Sequence, residues 1–218
     1  MHEGLFATRG RMVPLPPGRW VAFSRHAWQG GEISSNFSHE DVGLARVTPL
    51  GVDALIHIRT TDLEAGAHHV RSWGRDPACN RTDTHFIQVI SRDERDQACM
   101  MLNHVQRTAT VSTSQVWADY AGLREGRDAQ FPDTMLGATY RVARGTGATT
   151  LTYYFSVRDQ RLPAEPGISW ASSAWHPSRA DAPRLAVVER YRAWTTTNFE
   201  PVRQGVEQGR RGTSSATP

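Results

Sequence analysis

Lysine is absent from the chain: all 25 basic side chains among its 218 residues are arginine. High-GC coding bias produces this pattern without any functional demand, whereas a nucleic-acid binder concentrates positive charge in a groove or stripe. The basic excess is only +3, which argues against nucleic acid as a partner. The guanidinium forks remain well suited to bidentate carboxylate pairs and to stacking on the seven tryptophans. Long apolar runs are also missing. None approaches the roughly 18 residues of a membrane-spanning helix, so no membrane-spanning segment is expected. The opening residues, MHEGLFATRGRMVPLPPG, lack the continuous apolar centre of an export signal. They predict a cytoplasmic protein if Met1 is the native start. Glycine (18) and proline (12) are too few for a collagen-like or wholly disordered polymer. A chain of this length buries about 70% of its unfolded surface, enough for one substantial core.

Familiar catalytic signatures are missing as well: no GxSxG, HExxH, GxGxxG or P-loop pattern occurs. No cofactor is therefore called for. Cys79 and Cys99 are the only cysteines, and without a second CxxC their spacing argues against a zinc module. A bond between them closes a loop of about 20 residues, which loop entropy values at roughly 3 kcal/mol. If Thr84–Ile90 pairs with Cys99–Val105 across SRDERDQ, Cys79 reaches Cys99 only when the PACNRTD segment folds back. A structural disulfide, two buried thiols and a reactive pair are the readings open at this point.

What is present is strand periodicity. Trp20–His26, Leu44–Val47 and Val52–Arg59 read as strands, and in the last Val52, Ala54, Ile56 and Ile58 share one face while Asp53, His57 and Arg59 share the other. Between the first two, WQGGEISSNFSHEDVG reads as a loop. Ala67–Trp73 is expected to return beside Val52–Arg59, which would bring His57 near His68. Thr84–Ile90 and Cys99–Val105 are expected as central strands. Met135–Ala143 and Thr149–Val157 form a hairpin. Helices are predicted over TSQVWADYAGLREG and from Pro183, the latter with Leu185, Val188, Tyr191 and Trp194 as its apolar stripe, Asp181 at its positive end and Pro201 as a stop or kink. Several strands, a helix, two strands and a longer helix make an α+β domain, a predominantly antiparallel sheet covered by a long C-terminal helix with a second, shorter one. Residues 1–205 read as a single domain with a mobile N-terminal extension, and 206–218 as a flexible tail.

Few residues stand out as contacts. His104 lies in an apolar strand, where it serves as a structural hydrogen-bonding group, a ligand contact or a base; no nucleophile or acid can be assigned to it from spacing. Trp170, Trp175, His176 and Arg179 lie in ISWASSAWHPSR, within an irregular excursion. There they form either an aromatic recognition platform or the anchors of a long loop. The nine histidines do not assemble three or four ligands at a recognisable spacing.

The segments LPPGRW, CNRTD, CMMLNHV, DTML at Asp133–Leu136, YYF at Tyr153–Phe155 and WHPSR together resemble a group of proteins from high-GC bacteria, some of them exported. The resemblance spans most of the chain and carries no established activity. It implies envelope localisation and a Cys79–Cys99 bridge. The resulting expectation is a non-catalytic envelope-associated or periplasmic interaction module whose partner is an unknown protein or small ligand. A small-molecule hydrolase using His104 and a cytoplasmic adaptor or inhibitor are the competing readings.

Overall fold

A computed structural model describes residues 1–30, 37–49, 51–63, 73, 77–106, 115–125, 134–157 and 172–210. The predominantly antiparallel α+β architecture is as expected. Strands β1 (Leu5–Thr8) and β2 (Arg11–Pro14) form a separate hairpin. The other strands are β3 (Trp20–Gly30), β4 (Phe37–Thr48), β5 (Gly51–Leu63), β6 (Phe86–Arg92), β7 (Gln97–Gln106), β8 (Thr134–Arg144) and β9 (Gly147–Ser156). They build one sheet in the order β3-β4-β5-β9-β8-β7-β6, every neighbour antiparallel. Helices α1 (Gln115–Glu125) and α2 (Ala182–Arg210) lie on opposite faces.

Alternation sorts side chains between those faces. Val42, Leu44, Ile56, Ile58, Leu136, Tyr140, Leu151 and Tyr153 join the core beneath α2. The buried positions of α2 are Arg184, Val187, Val188, Thr195, Phe199, Val202 and Val206. Leu185, expected in the stripe, is exposed. Steps of three lag behind the 3.6-residue turn, so the buried line must mix threes and fours. Asp181 caps the helix as expected: its Oδ1 accepts from the Arg184 N–H at 3.1 Å. Pro201 neither stops nor shortens the helix, which continues to Arg210 and buries Val206, beyond the expected start of the tail. Proline removes one backbone donor, and the packing of Phe199, Val202 and Val206 outweighs that loss.

The N-terminal residues, expected as a mobile extension, are instead packed. Arg9 and Gly10, both at positive φ (42° and 68°), turn the β1–β2 hairpin, and Phe6, Val13 and Leu15 enter the α2 core. Arg11, 1% exposed, makes a bidentate pair with Asp62, and Glu40 accepts from Thr8 and Arg25.

Two further expectations change. Trp28–Gly30 and Phe37–Gly43, read within a loop, are strand; both faces of β4 are polar there, so no apolar alternation marks it. β5 pairs with β4 on one edge and β9 on the other; of the expected return strand Ala67–Trp73, all but Trp73 lies outside the described residues, His68 included. Strand β6, expected to be central, is an edge, with Val89 and Ile90 exposed.

Candidate functional site

Among the described residues, the sheet face away from α2 is covered at its two ends. At one end α1 seats Trp117 and Tyr120 against Ala45, Leu55, Met135 and Tyr154. At the other a 3-10 turn, Pro77–Cys79, folds back over β7, where Cys79 is bonded to Cys99 with 5.9 Å between the Cα atoms. The backbone N–H of Asn80 closes that turn by donating to the Pro77 carbonyl. Of the three cysteine readings the structure shows the disulfide, reached by the fold-back that an unbroken ladder forbids. Trp73 packs beside it against Ala143 and Ala148.

Between these two walls lies a polar pocket of about 790 Å³. Its floor is drawn from three cross-strand rows fixed by register, in which Ser24, Gly43 and Thr139 lie outside the lining itself. The first runs His26–Asp41–Arg59–Thr150–Arg141 from β3 to β8. Trp28–His39–Thr61–Ala148 lies on one side of it and Ser24–Gly43–His57–Thr152–Thr139 on the other. A bulge at Phe23 puts β3 in phase: Trp20 faces the α2 core, whereas His26 and Trp28 line the pocket.

The floor is cross-linked along and between its rows. Arg59 grips Asp41 with two bonds of 2.9 Å, and the His57 Nε2 stands 3.6 Å from the same carboxylate. Burial pushes the Asp41 carboxyl up, but the His57 and Arg59 contacts outweigh it and hold the group well below the usual carboxylate range. His39 Nδ1 meets the Thr61 hydroxyl at 3.1 Å, and its ring stacks on Trp28 with centroids 5.1 Å apart. The Thr139 and Thr152 hydroxyls bond each other at 2.9 Å. Arg141 donates from Nε to Gln97 (2.8 Å) and from Nη1 to Thr150 (3.0 Å), with its guanidinium 5.6 Å from the Trp73 ring centroid. The α1 wall is tied down by Asp119, which accepts from Ser24 at 2.6 Å and lies 2.6 Å from His26 Nε2. The His26 contact, then Ser24, hold its carboxyl below the ordinary range.

The expected contact residues lie elsewhere. His104 and Trp175 come together, but on the α2 side, stacked with centroids 5.7 Å apart and an interplanar angle of 9°. Trp175 is 1% exposed and has Arg184 over its ring at 5.7 Å, so it anchors its segment rather than offering a platform. Burial lowers the His104 pKa to about 3 and that of neighbouring His85 to about 4. His176, half-buried, bonds Ser178 at 2.8 Å, and Arg179 is exposed. Trp170 lies outside the described residues.

Of the polar face read on β5, His57 and Arg59 belong to the pocket, while Asp53 pairs with Arg46 at 2.8 Å. Sequence reasoning missed Trp28, His39, Asp41, Thr150 and Arg141. Their one legible signal was the outward parity of Thr150 and Thr152 between Leu151 and Tyr153. Among the described residues, no group of three or more His, Cys, Asp or Glu is placed to hold a metal ion, and no helix is long and apolar enough to cross a membrane. Comparison with protein-family models, curated proteins and solved structures finds no match.

Proposed function

We propose that the chain is a non-catalytic binding module of the periplasm or cell envelope. Its contact surface is the polar pocket rather than the Trp175 segment, and it takes a small ligand. The carrying observation is a pocket of about 790 Å³, within the range of small-molecule sites, with a floor of mutually bonded polar groups. Groups committed to each other hold their geometry before a ligand arrives, which favours binding. The same commitments disfavour chemistry: Asp41, ionised and clamped by Arg59, is a poor base near neutral pH. His104 supports the hydrolase alternative weakly, because it faces away from the pocket and burial keeps it neutral. A disulfide that braces one wall supports an oxidising compartment.

The test is a spectrum of the indole N–H groups during titration with a small-molecule library of mixed charge. Binding in the pocket shifts the Trp28 and Trp73 signals and leaves Trp20 and Trp175, across the sheet, in place. A library that moves neither pocket tryptophan overturns the reading. Cell fractionation with thiol trapping checks the compartment: alkylation of both cysteines in the native cell would remove that assignment.

A further inference from the structure

Two chemistries stand side by side in the pocket lining. Trp28 is 43% exposed although its indole lies nearly parallel to the His39 ring, with centroids 5.1 Å apart. His39 holds one face of the indole, so the accessible area falls on its other face and rim. A ring fixed in this way is a flat, amphipathic surface with little conformational freedom left to lose on binding. Beside it are polar groups of both hydrogen-bonding senses. The clamp on Asp41 engages Nε and Nη2 of Arg59, whose side chain is 48% exposed, and leaves its remaining N–H groups to a ligand. Thr150, opposite Arg59 in the ladder, accepts from Arg141 at 3.0 Å and keeps its own proton to give. From the α1 wall Gln115 donates its amide N–H to Asp119 at 3.2 Å, which leaves Oε1 to accept. The Thr61 hydroxyl, bonded to His39 Nδ1 at 3.1 Å, gives or takes a second bond. An oxyanion uses donors alone and an ammonium acceptors alone. A hydroxyl uses both at once. A ring with hydroxyls on its rim and C–H groups on its face therefore matches the whole arrangement, face to indole and rim to polar groups. Trp28 on β3 and Thr150 on β9 are three strands apart. That is about 14 Å at ordinary strand spacing, a span that two linked sugar rings and the side chains reaching toward them cover.

Resting on the pocket assignment above, we infer that the ligand is a short saccharide. One ring stacks on Trp28, and its hydroxyls and those of a linked ring bond to Thr61, Arg59, Thr150 and Gln115.

The test titrates the full, disulfide-bonded chain with glucose, galactose, mannose and N-acetylglucosamine, and with cellobiose, lactose, mannobiose and chitobiose, while the indole N–H signals are followed. Phenylbutyrate, phenylbutanol and phenylbutylamine serve as aromatic controls. At least one saccharide moves the Trp28 signal and saturates with a Kd below about 1 mM, and the disaccharide binds tighter than either of its single sugars. Trp28→Ala, at an exposed site, weakens that binding at least about tenfold. Thr150→Val keeps the shape, removes the hydroxyl and weakens it about three- to tenfold. Should Thr150→Val fail to fold, deoxy forms of the bound sugar replace it on the unaltered protein: loss of a particular hydroxyl weakens binding by that factor, and loss of the others does not. A single sugar that binds as tightly as its disaccharide overturns the two-ring span. Aromatic controls that move Trp28 when no saccharide does overturn the saccharide inference and leave the pocket standing, as does saccharide binding indifferent to Trp28→Ala. Silence of both pocket tryptophans toward every probe overturns the two together.

Discussion

The imidazole of His104, stacked on Trp175, is neutral in the folded chain because burial penalises its cation, with the charge of His85 adding to the effect. Its folded pKa of about 3 lies below the ordinary 6.5, so between these values the unfolded chain binds the extra proton. Stability therefore falls as pH falls through that window, by up to about 1.4 kcal/mol per pH unit for His104, and His85 acts in the same direction. Asp41 has the same sign in a lower window. Its carboxyl is depressed by His57 and Arg59 against burial, so its contribution is complete above the ordinary carboxylate range and is lost only in strong acid. Chemical denaturation at a series of pH values should show His104→Phe flattening the loss between neutral pH and pH about 4; an unchanged slope would refute the assignment. Trp175→Ala should cost about 3–5 kcal/mol, read as a lowered denaturation midpoint, because it empties a fully buried ring site.

Among the elements, α2 packs tightly against β2 at Gly205. A Cβ there would stand 2.0 Å from the Met12 carbonyl oxygen, a backbone atom with little freedom to yield. Alanine gains up to about 1 kcal/mol of helix propensity at such a position, but overpacking of this severity costs about 1–3 kcal/mol or more. Gly205→Ala should therefore lower the thermal midpoint; an unchanged or raised midpoint would show that the helix and hairpin part without cost. Legibility also divides by element. β5, β8 and β9 were readable because one face of each is apolar along its length. β4 was not, because Ser38 and Glu40 face the N-terminal hairpin while His39 and Asp41 face the pocket, leaving polar residues on both sides. The bulge at Phe23 concealed the β3 contribution in another way, by reversing which alternate residues share a face.

Across the whole molecule, the Cys79–Cys99 bond joins stability to the shape of the pocket. It fastens the 3-10 turn, including pocket-lining Ala78, to β7 beside the Trp73 wall. Replacing both cysteines by alanine should destabilise the fold by roughly 3 kcal/mol through the loop of about 20 residues, seen as a lower denaturation midpoint. It should also move the Trp73 indole signal under conditions where the chain remains folded. A Trp73 environment identical to that of the bonded protein would mean that the wall stands without its staple. By itself the sequence determined the antiparallel class, the β8–β9 hairpin, the β6–β7 pairing and the position of the long helix, because alternation and helical spacing are local consequences of burying one face. Only the tertiary structure decided which polar residues meet. Asp41, Arg59, Thr150 and Arg141 are distant along the chain and adjacent across it. Strand order, register and a one-residue bulge set that adjacency, and none of the three is carried by local periodicity.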